Sequence, residues 1–216
     1  ASSVGDFINN PAARDFIAAL GGEQGLIDAF LAVELAFAGI FASAFGVQSV
    51  LRLRAEEDEQ RAEPVLATAV SRLRWAGSHL MIAVVGTTVL MVVVGVGAGI
   101  ARAAASGDAD QIVRVVLASL AQLPAAWVLV AIAVALFGLA PRWVTAAWAV
   151  LAGFVLLGEL GPLFDLDQVV LDLSPFAHTP KLPGGAFSAA PLVLMCAVAL
   201  VGTTAGLVAF RRRDLT

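Results

Sequence analysis

Between Arg52 and Trp75 the sequence RLRAEEDEQRAEPVLATAVSRLRW separates two apolar runs, each long enough to cross a membrane. It holds ten of the chain's thirty charged side chains: Arg52, Arg54, Arg61, Arg72 and Arg74 against Glu56, Glu57, Asp58, Glu59 and Glu63. A charge at the bilayer centre costs about 2.5–3.5 kcal/mol even on insertion-derived scales. The passage must therefore lie in water at one membrane face. Glu57 and Arg61 stand i,i+4 with the acid first, the favourable helical order, and Pro64 suits the start of a second short helix. Val65, Leu66, Ala69, Val70 and Leu73 then recur at steps of three and four, giving one apolar face. Either a soluble partner grips that face or it rests on the bilayer surface.

Composition excludes a soluble domain. Only 14% of the 216 residues are charged and 60% are hydrophobic, whereas water-facing domains carry about 25% charged residues. The chain is expected to be an all-α, polytopic membrane bundle of about five transmembrane helices with added interfacial or re-entrant helices. Its single cysteine, Cys196, excludes an intrachain disulfide. Basic clusters with interleaved aromatics are absent, which argues against nucleic acid.

The apolar runs divide the chain as follows. Residues 1–26 form a polar segment with a short amphipathic helix, Pro11 to Leu20, ended by Gly21 and Gly22. They lack the basic start and apolar centre of a signal peptide. Span 27–51 carries a stripe of Ala38, Ala42 and Gly46 for close helix approach. The charged loop is 52–77. Span 78–101 follows, with Gly95, Gly97 and Gly99 at its far end, and then 112–140, interrupted by Pro124 and read as kinked or tilted. Pro141 and Arg142 make a short turn into span 143–160. Residues 161–186 mix Asp165, Asp167 and Asp172 with four prolines and apolar residues, a pattern for interfacial or re-entrant helices. Span 187–210 holds Gly202 and Gly206 at GxxxG spacing, and 211–216 is the tail.

Positive charge orients these spans. With the charged loop inside, five crossings put nine basic residues inside: Arg52, Arg54, Arg61, Arg72, Arg74, Arg142, Arg211, Arg212 and Arg213. Arg14, Arg102, Arg114 and Lys181 remain outside. The positive-inside rule thus favours an external start and an internal end. An odd number of spans with an external start leads to the expectation of an earlier outward span before Ala1.

Catalytic signals are missing. There is no GxxxxGK[ST] phosphate loop and no GxSxG elbow. His79 and His178 lack neighbours at metal-ligand spacing. No catalytic residue, metal site or resident cofactor is expected. Intramembrane polar groups are the better clue. Glu34 either faces a substrate path or pairs with a donor from another helix. Gln122 with Pro124 either marks a bend lining a cavity or makes a helix–helix hydrogen bond.

The run EEDEQRAEPVLATAVSRLRWAGSHL, Glu56 to Leu80, resembles the cytoplasmic loop after the second span in type 2 exporter permeases of the ATP-binding cassette superfamily, particularly the polyketide antibiotic or tetronasin exporter branch. LSPFAHTPKLPGG, Leu173 to Gly185, and the ending FRRRDL, Phe210 to Leu215, agree with it. The resemblance implies the second half of a permease, from its second span onward. It implies a separate ATPase chain that binds ATP and Mg, and a loop that docks in a groove of that ATPase. Contact is then expected from Arg61, Glu63, Leu66, Ser71 and Arg72, with Glu57 as internal support. Many relatives have a proline where Ala69 stands, which alters the turn. The other permease half or a second copy is the expected membrane partner, and an amphipathic small molecule the cargo. Two other readings stand beside an antibiotic exporter: a non-transporting scaffold or regulatory subunit that holds a cytosolic partner, and an exporter of lipid or polysaccharide. An intramembrane enzyme has no paired catalytic residues to support it.

Overall fold

The computed structural model describes residues 22–59, 71–164 and 166–212. The amphipathic helix expected over Pro11–Leu20, the loop residues Arg61, Glu63, Pro64 and Leu66, and Arg213 lie outside the described residues. Among those described there is no strand, and the long helices follow the apolar runs. They are α1 (Gly22–Asp58), α2 (Arg72–Ser106), α3 (Asp110–Leu120), α4 (Leu123–Leu139), α5 (Ala146–Val155), α6 (Gln168–Leu171) and α7 (Ala189–Arg212). Four stretches are long and apolar enough to cross a membrane: Gln24–Glu57, Arg72–Ser106, Asp110–Leu139 and Ala189–Arg212.

The helices outrun the expected spans because their charged ends are locally satisfied. α1 continues to Asp58, where Arg54 Nη1 donates to Glu57 Oε2 at 3.2 Å, one turn on. α2 starts at Arg72 because the Ser71 hydroxyl accepts from the Arg74 amide and caps it. At its other end Gly107, at φ +72°, closes the helix in the left-handed region and donates to the Ala103 carbonyl. Much of the charged passage is therefore helix end. Asp108 then accepts from the Asp110 amide and the Gln111 side chain, and the Gln111 bond above all holds its carboxyl below the usual range.

The third span sits at the centre. Of its most apolar stretch 72% is buried, against 39% or less in the other three. It breaks at Ala121–Gln122 into α3 and α4, with Pro124 in the first turn of α4, where the missing N–H costs nothing. Close packing around it depends on small residues. A Cβ on Gly95 would lie 3.0 Å from Val116 Cα, and one on Gly99 2.9 Å from Ile112 Cα, so α2 and α3 meet backbone to backbone. The stripe on α1 works similarly: Ala42 is buried beside Met91 and Leu123, and Gly46 faces Val130 and Thr87. Polar ties reinforce the contacts. Ser119 donates to the Met91 carbonyl at 2.9 Å, and Trp127 Nε1 to Thr87 Oγ1 at 3.3 Å.

α7 packs along α4 in the same direction: Gly202 faces Ala131, and Gly206 faces Val134 and Ala135. Two neighbouring parallel helices require the chain to return across the bundle between them. That return is the shorter apolar helix Ala146–Glu159, which ends in a π-helical turn, Leu156–Leu160. At 1.5 Å per residue it covers roughly 20 Å, so the fourth pass is short. It is preceded by a 3-10 turn, Pro141–Trp143. After it come single turns, Gly161–Phe164, α6 and Pro175–His178. Ser174, fully buried, donates to the Phe154 carbonyl at 2.7 Å and holds these turns against the end of α5.

Candidate functional site

Two polar constructions stand out, one at each end of the bundle. At the charged-loop end, Glu56 of α1 reaches α2. Its Oε2 accepts from Trp75 Nε1 at 3.2 Å and lies 3.2 Å from His79 Nε2. Both partners come from the first turns of α2, four residues apart and hence on one face. The Trp75 and His79 rings meet edge to face at 5.8 Å. Trp75 then packs at 6.1 Å on Phe210 of α7, and Phe210 at 5.0 Å on Phe137 of α4. Trp75, Phe210 and Phe137 are all buried. The two roots of the loop are thus clasped together and joined by tilted ring contacts to the ends of α4 and α7.

Of the residues expected to contact a partner, Ser71 is the cap of α2 and Arg72 begins that helix, while Glu57, expected as internal support, is engaged by Arg54. Arg61, Glu63 and Leu66 lie outside the described residues. Glu56, Trp75 and His79 were not anticipated. The available signal was Trp75, a large aromatic set at the junction of a charged loop and a span.

The far end holds a cavity of about 900 Å³ between α1, the turns after α5 and the segment before α7. Its apolar wall includes Ala32, Val33, Leu157 and Phe176, and its polar groups include Asp28, Gln122, Glu159 and Lys181. That combination of a mostly apolar wall and few polar groups suits an amphipathic small molecule. Gln122 is 3% exposed, and its amide makes no side-chain hydrogen bond among the described residues. Asp28 is 7% exposed. Its Oδ2 accepts from Arg114 Nη2 at 2.7 Å, while Oδ1 is buried without a partner. Arg114 also donates to the Pro183 carbonyl at 2.8 Å, tying α1, α3 and the loop before α7 together. Arg102 of α2 donates to Gln24 of α1 beside them.

The three expected path residues part company here. Gln122 lines the cavity. Pro124 is buried behind it, and Glu34 stands on the exposed face of α1. Sequence reading missed Asp28, since an acid six residues before Glu34 reads as the polar edge of the span. Arg114, the other half of the pair, reads as the edge of the third span. Among the described residues no group of three or more His, Cys, Asp or Glu side chains could hold a metal ion.

A family model described as the multidrug efflux system permease Rv1217c, C-terminal domain, matches residues 1–211. The multidrug efflux system permease protein Rv1217c of Mycobacterium tuberculosis (strain ATCC 25618 / H37Rv) is 45% identical over 214 residues, which cover 98% of this chain and 39% of that protein. The chain spans about two fifths of the length of this relative.

Proposed function

We propose a function for this chain from a plain premise: it belongs to the family of the Rv1217c permease C-terminal domain, and it is a multi-pass membrane protein. On our reading it is the second half of the membrane permease of an ATP-driven exporter in the bacterial cell membrane. It carries amphipathic drug- or antibiotic-like molecules and pairs with a separate ATPase of the cassette superfamily, on which ATP and Mg are bound. The charged loop faces the cytosol, and its motif resembles that of the polyketide antibiotic exporter branch.

One observation carries this reading. The loop is rooted in the Glu56–Trp75–His79 clasp, and Trp75 of the clasp packs on Phe210, which packs on Phe137. A push on the loop therefore reaches α4 and α7 through packed rings instead of dissipating in a flexible linker, as rigid-body transport motions require. Arg61, Glu63, Leu66, Ser71 and Arg72 make the ATPase contact, and Gln122 lies on the path of the cargo.

Leu66→Asp tests the assignment in the complete complex, with export and ATP turnover read together. Export should collapse while the variant still inserts and binds drug. Export at the full rate would remove the loop from the mechanism. Binding of the ATPase without any drug-stimulated turnover in the unaltered complex would favour a scaffold instead.

A further inference from the structure

The cavity at the far end is drawn out as a groove along α1. Gly25, Ala29, Ala32 and Ala36 line it at steps of four, three and four, so the middle of that helix face carries nothing longer than a methyl group over about 16 Å. The next step, Gly39, closes on Gln122: a Cβ there would lie 3.0 Å from Gln122 Cβ and 3.5 Å from its Oε1. Gln122 therefore ends the groove, buried and with its amide unpaired among the described residues. The charged groups of the cavity all belong to its other end. Asp28, in the second turn of α1, is engaged by Arg114. Glu159, in the π-helical turn after α5, and Lys181, in the segment before α7, make no ion pair among the described residues. That segment also crosses the mouth, since a Cβ on Gly184 would lie 3.0 Å from Asp28 Cβ.

These features narrow what fits. A lipid tail matches the small-residue stretch but leaves the Gln122 amide unpaired, at a cost. A helix, about 10 Å across, runs into the segment at Gly184. A slender molecule with a polar leading end meets neither obstacle. We propose that the groove takes cargo end-on, and that the cargo class is an elongated amphipath with a slender apolar body. Its leading end is a neutral hydrogen-bonding group, such as a carboxamide or hydroxyl, which pairs with Gln122. Its charged or zwitterionic group stays at the mouth with Glu159 and Lys181. A charged leading end is rejected, because it would be buried against a neutral amide without a counter-ion. The inference rests on the proposed reading of the chain as half of a drug exporter, and adds to it the shape and polarity of what is carried.

Three photoreactive probes test it in the full-length permease in its own membranes. Each has a dansyl head and a dodecyl chain with a diazirine beside its end group, which is a carboxamide, a methyl or a trimethylammonium. Mass spectrometry reads the attached residue. The carboxamide probe should label Ala36, Gly39 or Gln122. The methyl probe should label them about tenfold less, the loss of one hydrogen bond, and the trimethylammonium probe about a hundredfold less. Gln122→Leu should erase the difference between carboxamide and methyl. Equal labelling by all three probes, adducts confined to lipid-facing positions such as Val93, or a preference that survives in Gln122→Leu would overturn the proposal. Drug export assayed in the same membranes separates the two claims: labelling with this preference but no export retires the function and keeps the site, and export with no label in the groove does the reverse.

Discussion

The carboxylate of Asp28 and the guanidinium of Arg114, 86 residues apart in sequence, meet at 2.7 Å at the far end of the bundle. The Arg114 side chain is 44% exposed and the Asp28 side chain 10%, so water screens one partner and hardly reaches the other. The same arginine holds the Pro183 carbonyl. The pair is a three-way tie among α1, α3 and the segment that leads into α7.

Asp28→Asn should cost about 1–2 kcal/mol, less than a fully buried pair because Arg114 is screened. In a domain of this size that is roughly 2–8 °C of melting temperature. Thermal unfolding in detergent checks it, and an unchanged melting curve would show the pair to be neutral.

Gly206→Ala should destabilise by about 1–3 kcal/mol or more, since the added Cβ would lie 2.5 Å from the Val134 carbonyl oxygen and 2.8 Å from Ala135 Cα. Neither neighbour is a movable side-chain tip. Gly97→Ala is the control: its Cβ meets nothing within 4 Å, and it should be neutral or stabilising by up to about 1 kcal/mol. Yields and melting temperatures that fail to separate the two variants would contradict the α4–α7 contact.

Trp75→Phe keeps a ring beside Phe210 but removes the N–H that Glu56 accepts. Stability should fall by only about 0.5–1.5 kcal/mol; if the loop couples an ATPase to export as proposed, the number of drug molecules exported per ATP by the full complex should fall further. Glu56→Gln should behave in the same direction. A variant that loses stability but keeps its export ratio would reduce the clasp to a structural staple.

Gln122→Leu removes an amide that opens on the cavity and makes no side-chain hydrogen bond among the described residues. Such a replacement is expected to be neutral or slightly stabilising. If the cavity carries cargo, the same change should raise the KM for compounds with hydrogen-bonding groups and spare purely apolar ones. Equal KM values for both classes would take Gln122 off the path.

The four long apolar helices could be read from the sequence because burial in lipid imposes length and polarity on each helix separately. The apolar runs, the break near Pro124, the small residues of α1 and the glycines of α2 and α7 all declared themselves locally. Glu34 was legible as an anomaly and not as a contact, since periodicity shows that a carboxylate lies within a span without showing what it faces.

What the sequence determined by itself, then, was an all-helical membrane chain with one long charged loop, because the cost of putting charge or unpaired backbone into hydrocarbon is decided residue by residue. Tertiary structure alone decided that α4 and α7 pack side by side, Gly202 on Ala131 and Gly206 on Val134, and that Asp28 finds Arg114 and Glu56 finds Trp75 and His79. Those pairings join residues from separate helices, and their partners are selected by how the helices pack, a property that no single stretch of sequence carries.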